Sequence, residues 1–242
     1  MIVFVHPLAS GPRFWSGVRD RLPALATHAV DLAQVPARDE AERGLAALTD
    51  AVAEEIAATD DGAVTVVGVS LGALVALDLA TRHPRLVQRL VLADSVPVYP
   101  GMMQQMWRQR ADIARTEGIA GLLEPTLRLW FSPRFLDAGG PELDAVVQTF
   151  TAFDPLRYAR HCEILAGVDL RARAHEVSVP TLVVCGTHDS DPFVEAARWF
   201  EQAIAGAQLA WVDGGHHAAA LEFPDQFASL VYEFVSAAHP IR

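Results

Sequence analysis

The pentapeptide Gly68-Val69-Ser70-Leu71-Gly72 limits what this chain can become more than any other stretch. A compact β-branched run, Val64-Thr65-Val66-Val67, precedes it, and the helix-forming Ala73-Leu74-Val75-Ala76-Leu77-Asp78-Leu79-Ala80 follows, ending near His83-Pro84. A G-x-S-x-G between a strand and a helix predicts a turn so tight that its serine takes a strained backbone conformation. Side chains at 68 and 72 would collide with the adjoining strand and helix, so glycine fills both places. The turn lifts a hydroxyl above the carboxyl end of a sheet, at a helix N-terminus whose free N–H groups favour negative charge. Ser70 is therefore the candidate nucleophile. The bland alternative is a Gly-rich turn carrying an incidental serine.

Around this turn the chain alternates strand and helix patterns, which implies a right-handed parallel sheet. Residues 2–6 and 28–32 read as strands, Phe14 to Leu25 as a short amphipathic helix, and 89–93 as the strand after the central helix. Leu45, Leu48, Val52 and Ile56 recur at spacings of three and four, which predicts a helix over 38–58 ended by Asp60-Asp61-Gly62. The alternation then stops. From about 99 to 168 only helical patterns occur, over 102–117, 119–131, 142–152 and 155–166, with 132–141 as a loop. That block is too long for an ordinary connection. Strands resume at 181–186 and 208–212, and a helix over about 224–238 closes the chain. The reading is an α/β fold with a mostly parallel sheet of about six strands, its core formed by 1–98 and 169–242, and 99–168 inserted as a helical cap. At 242 residues and 51% apolar composition, one large domain has ample core.

The net charge is −11, all 19 basic residues are arginine, and no basic run stands out, so nucleic acid and anionic membrane surfaces are poor partners. No apolar stretch approaches the length of a membrane span, and Met1 to His6 reads as a strand, without the basic n-region of a signal peptide. Cys162 and Cys185 read as buried thiols of a reducing cytoplasm. With neither CxxC nor HExxH, nothing has metal-ligand spacing.

A serine hydroxyl needs a base to take its proton, and the base needs a partner to fix its tautomer. The strand ends downstream supply both: Gly186-Thr187-His188-Asp189 follows one strand and Gly214-Gly215-His216-His217 the next. Asp189 is favoured as the acid over Asp94, which follows the 89–93 strand, while Asp191 is a neighbour with the same chemistry. An oxyanion hole needs two N–H donors aimed at one point. Leu71 supplies one with the turn. Pro7 has no N–H, which leaves Leu8 for the second. Trp107, Trp130, Phe131 and Phe150 either line an apolar acyl pocket or pack the helices onto the core. His161 and His188 read as lone structural or surface histidines, and Asp78 as a solvated or capping residue.

With these residues in place, the chain resembles the cap-bearing α/β-hydrolases, with likeness to the 3-oxoadipate enol-lactonase group and related small esterases. The order Ser, Asp, His at successive strand ends is that superfamily's order. The likeness extends over nearly the whole chain, through His6-Pro7-Leu8-Ala9-Ser10 with Trp15, Pro180 to Asp189, His217 with Leu221-Glu222-Phe223-Pro224, and the cap matches Trp130 to Phe135, Pro141-Glu142 and Asp154-Pro155 through Tyr158-Ala159 to Asp169-Leu170. The chain departs from the pattern by starting at what resembles the third strand, so the N-terminal hairpin is missing. It also carries His-Pro where the superfamily has His-Gly, and a Leu-Ala-Gln-Val-Pro turn after Asp31. In the resembled families the histidine precedes a Glu-x-Pro by five residues. Glu222 stands five after 217 and six after 216, which favours His217 over His216. The resemblance implies a cofactor-free serine hydrolase cleaving a small ester or lactone: Ser70 attacks, His217 shuttles the proton, Asp189 orients the imidazole, and an acyl-enzyme forms. Leu129 stands where enol-lactonases often carry an arginine for the substrate carboxylate, which leaves Arg128 or Arg134 as its substitute. Fold and triad do not fix chemistry, so a ligand-binding sensor with little turnover, or a lyase or thioester-cleaving relative, remain the alternatives.

Overall fold

Six strands form one wholly parallel sheet in the computed structural model, which describes residues 1–35, 44–59 and 62–237. They are β1 (Ile2–Val5), β2 (Thr27–Val30), β3 (Val64–Val69), β4 (Val87–Ala93), β5 (Thr181–Gly186) and β6 (Gln208–Val212), in the order β2-β1-β3-β4-β5-β6. All residues of β1, β3 and β5 are buried, which is why these strands read as unbroken apolar runs. Alternate residues feed two cores. Val64 and Val66 pack with α2 (Leu45–Thr59) and α3 (Leu71–Arg82), whereas Val67 and Val69 join Trp15, Val18 of α1 (Ser16–Asp20) and Phe227 of α12 (Pro224–Ser236).

Helix α3 is buried at every position from Leu71 to Ala80. Asp78, read from sequence as solvated or capping, lies in that buried stretch with Arg82 and Arg173 each 3.5 Å from its carboxylate, so it is an interior ion-pair residue. The helix expected over 14–25 is shorter. A 3₁₀ turn over Pro12–Trp15 leads into α1, which stops at Asp20 ahead of Pro23. The expected helix over 38–58 is observed as α2; its positions 38–43, like Asp60 and Asp61, lie outside the described residues.

Between β4 and β5 the chain makes α4 (Gly101–Glu117), α5 (Leu123–Trp130), α6 (Pro133–Ala138), α7 (Pro141–Ala152), α8 (Pro155–Gly167) and α9 (Arg171–Ala174). Helix α6 falls in the stretch read as a loop; Ser132 caps it by accepting from Phe135 N–H at 3.1 Å, and Pro133 opens it. Where this block leaves and rejoins the sheet, an isolated antiparallel bridge pairs Val98 with Asp169, and Leu170 N–H donates to Pro97 O at 2.8 Å. Helix α10 (Asp191–Ala203), between β5 and β6, was not expected, and the short α11 (Ala219–Glu222) precedes α12. Among the described residues no helix is long and apolar enough to cross a membrane.

Candidate active site

Ser70 sits between β3 and α3 at φ 55° and ψ −116°, a conformation that L-residues avoid. Its neighbours leave no other path. A Cβ on Gly68 would stand 2.2 Å from Gly72 O, and one on Gly72 would stand 2.1 Å from Val5 O. The turn is fastened to the next strand, because Ser70 N–H donates to Ala93 O at 3.0 Å and Ser95 Oγ donates to Ser70 O at 3.1 Å. Leu71 N–H is among the amides that a helix start leaves without an acceptor.

The loop after β1 is held by His6. Its Nε2 accepts from Leu32 N–H at 2.9 Å, so the ring proton is on Nδ1, which donates to Pro7 O at 2.8 Å. Among the described residues every peptide bond is trans, so fixing the Pro7 carbonyl turns Leu8 N–H the opposite way. Ala9 at φ 53° continues the turn. In the sequence His6 stands out only as part of a motif, with no sign of this stapling role. It becomes visible only once β2 lies beside β1.

The loops after β5 and β6 are pressed together, since a Cβ on Gly186 would meet Gly215 O at 2.2 Å. His188 N–H donates to Gly215 O at 2.8 Å and Gly214 N–H to Thr187 Oγ1 at 2.9 Å. This contact delivers His217 Nδ1 to Asp189 Oδ2 at 2.9 Å, both residues buried, while Asp189 Oδ1 accepts from Ser190 N–H at 2.7 Å. Nδ1 carries the shared proton, which leaves Nε2 as the free lone pair. Burial works against the imidazolium, but the charge and hydrogen bond of Asp189 outweigh it and raise the His217 pKa. The Phe193 ring, from α10, lies 4.3 Å from the His217 ring. His216 is half-buried, its ring 5.8 Å from that of His188, and makes no hydrogen bond to Asp189.

Asp94 follows β4 at φ 45° and is buried, and its Oδ1 accepts from Gly186 N–H at 2.9 Å. Burial, then the negative charge of Asp189, pushes its pKa well up. Asp94, Cys185 and Asp189 bring potential ligand atoms within 4.8 Å of one another. Burial also raises the Cys185 thiol, and the charges of Asp94 and Asp189 raise it further. Asp191 is exposed at the start of α10, away from the imidazole.

Of the six residues expected to line a pocket, Trp107 is the one linked to the His217 ring by a chain of aromatic contacts. Its ring lies 5.6 Å from that of Tyr99, which lies 6.3 Å from Phe193. Arg128 is not brought there: its side chain is 72% exposed and pairs with Glu124 one turn earlier on α5. Arg134 is exposed on α6. Trp130 and Phe131 are buried against Phe14 and Phe135, and Phe150 packs edge-on to Tyr158 inside the helical block. Trp130 O accepts from Ala218 N–H at 3.0 Å, and Glu222 receives both the N–H and the hydroxyl of Ser132, which ties the block to the loop carrying His217. A cavity of about 520 Å³, bordered by Ser10, Phe14, Phe135, Val146 and Leu221, lies where the block meets the core.

Several known proteins are similar to this chain. A pimeloyl-[acyl-carrier protein] methyl ester esterase of Aromatoleum aromaticum is 32% identical, over 97% of this chain and 97% of that protein. The 3-oxoadipate enol-lactonase 1 of Acinetobacter baylyi is 26% identical over 70% of this chain and 63% of its own length. Among solved structures, the enol-lactonase from Burkholderia xenovorans LB400 superposes with a TM-score of 0.89 at 28% identity, covering 98% of this chain and 91% of that one. Residues 2–230 match the family model described as alpha/beta hydrolase, and the chain belongs to that family.

Proposed function

We propose that the protein is a serine hydrolase that opens a small ester or lactone through an acyl-enzyme, with the block between β4 and β5 serving as its cap. Ser70 Oγ attacks the carbonyl while His217 Nε2 takes its proton. Leu8 and Leu71 N–H hold the oxyanion. The imidazolium returns the proton to the leaving alkoxide, and a water deprotonated by the same Nε2 then releases the acid and frees Ser70. Asp189 keeps the tautomer and balances the imidazolium. The observation that carries the reading is the buried 2.9 Å bond between His217 Nδ1 and Asp189, on loops at the same sheet edge as the strained Ser70. Relatives named for cleaving a methyl ester and an enol lactone support the bond class. The exposure of Arg128 and Arg134 favours a substrate without a free carboxylate over the enol-lactonase pattern. The free, buried Cys162 and Cys185 fit a reducing cytoplasm.

The test is an acyl burst with p-nitrophenyl butyrate. The parent releases about one equivalent of nitrophenol per chain before steady turnover, and Ser70→Ala abolishes it. Ester turnover in Ser70→Ala within a few fold of the parent sinks the nucleophile assignment, and absence of any turnover in the parent sinks the reading.

A further inference from the structure

Tyr99 stands near the proposed nucleophile, and Trp107 packs against Tyr99. Tyr99 is 1% exposed and Trp107 7%, yet neither the Tyr99 hydroxyl nor Trp107 Nε1 has a hydrogen-bond partner among the described residues. The Ser70 side chain lies close enough to act on the Tyr99 phenol as a hydrogen-bonding group, though outside good hydrogen-bond geometry, while burial raises the phenol above its usual range. The two rings meet edge to face at 5.6 Å, and Phe193 links Tyr99 to His217. A buried donor without an acceptor destabilises a fold, and native proteins keep few of them. Two carried by rings in contact, one of them near the strained serine, are explained if a substrate oxygen completes them.

The surrounding charges restrict that oxygen. Arg110, whose guanidinium lies 5.5 Å from the Trp107 ring centre, is already spent on Tyr158 Oη, Thr126 Oγ1 and Leu122 O. Arg115 pairs with Glu163, and Arg157 donates to Val35 O. His161 on α8 is buried with Nδ1 unpartnered, and burial holds its pKa down to about 3, so that ring is neutral too. The unfilled polar groups are thus uncharged. A carboxylate brought among them would lose its hydration without gaining a cation.

We propose that Tyr99 Oη–H and Trp107 Nε1–H are substrate-binding donors that select esters or lactones carrying an uncharged oxygen, an ether, hydroxyl or carbonyl, close to the scissile carbonyl. The proposal rests on the serine-hydrolase reading of the same site. Its test compares p-nitrophenyl methoxyacetate with p-nitrophenyl butyrate, which have the same length and differ by one oxygen in place of a methylene. The ratio of their kcat/KM values is measured in the parent, Tyr99→Phe and Trp107→Phe, so the intrinsic reactivity of the esters cancels between proteins. Each variant should lower the methoxyacetate-to-butyrate ratio by roughly 3- to 10-fold, the range of one neutral hydrogen bond. Tyr99→Phe should keep or raise Tm, because the unpaired hydroxyl is gone. A merely structural role would lower Tm and leave the ratio alone. Ratios unchanged in both variants, or equal losses on both esters, overturn the proposal while leaving the hydrolase reading intact. If the parent cleaves neither ester, both fall.

Discussion

Two carboxyls face each other behind the imidazole, and their environments push them apart. Asp189 takes one hydrogen bond from His217 and one from Ser190 N–H, whereas Asp94 takes one from Gly186 N–H and its pKa is pushed up by burial. Asp189→Asn should lower kcat about 10²- to 10⁴-fold, because an amide favours the wrong histidine tautomer. Asp94→Asn retains an acceptor for Gly186 and leaves the His217–Asp189 bond in place, so kcat should change by less than about tenfold. The reverse pattern in steady-state assays would move the acid to β4. The direction with pH follows from the raised His217 pKa. The base works as neutral imidazole, so kcat/KM should fall as pH drops through a value above the ordinary histidine pKa of about 6.5. Asp189→Asn, lacking the charge that sustains the imidazolium, should move that limb to lower pH. His217, Asp189 and Ser70 were legible because each sits on a glycine-marked strand exit. The raised pKa of Asp94 and the bare hydroxyl of Tyr99 were not, since both depend on β4 lying between β3 and β5, an adjacency no local pattern encodes.

At the scale of elements, the site is assembled by backbone touching backbone. Gly72 brings α3 onto the end of β1, and Gly186 brings the β5 loop onto the β6 loop. Gly186→Ala puts a methyl 2.2 Å from a carbonyl oxygen that cannot swing aside, so urea unfolding should show a loss of about 3 kcal/mol or more. Gly121→Ala, with nothing within 4 Å, is the control and should stay within about 0.5 kcal/mol. A loss at Gly186 no larger than the control's would mean that the loops relax apart freely. Strands buried on both faces announced themselves as apolar runs, which is why the sheet was readable. The missed helices had signals of another kind: Ser132-Pro133 opens α6, and Phe193, Ala196, Ala197 and Phe200 give α10 its buried stripe after Ser190-Asp191-Pro192. These are start signals and a single-faced stripe, weaker than the continuous run of α3.

For the molecule as a whole, two of the fastenings of the helical block have different duties. Ser132 to Glu222 and Trp130 to Ala218 couple it to the loop of His217. Glu222→Ala should therefore lower kcat about tenfold and speed limited proteolysis of the block, since it removes a charge-assisted pair of bonds. Unchanged kcat with unchanged proteolysis would show the tether to be idle. The other fastening, the Val98–Asp169 bridge, sets the excursion's two ends side by side on the sheet. Closing a loop costs only about 0.6 kcal/mol more for each doubling of its length. A lineage carrying this hinge of two residues can thus lengthen, shorten or exchange everything between them while the strands keep their register. What inheritance must preserve is small: the bridge, and a handshake with Ala218 and Glu222. If the block is the cap proposed above, new substrates would be reached by replacing it, with the sheet left as it is.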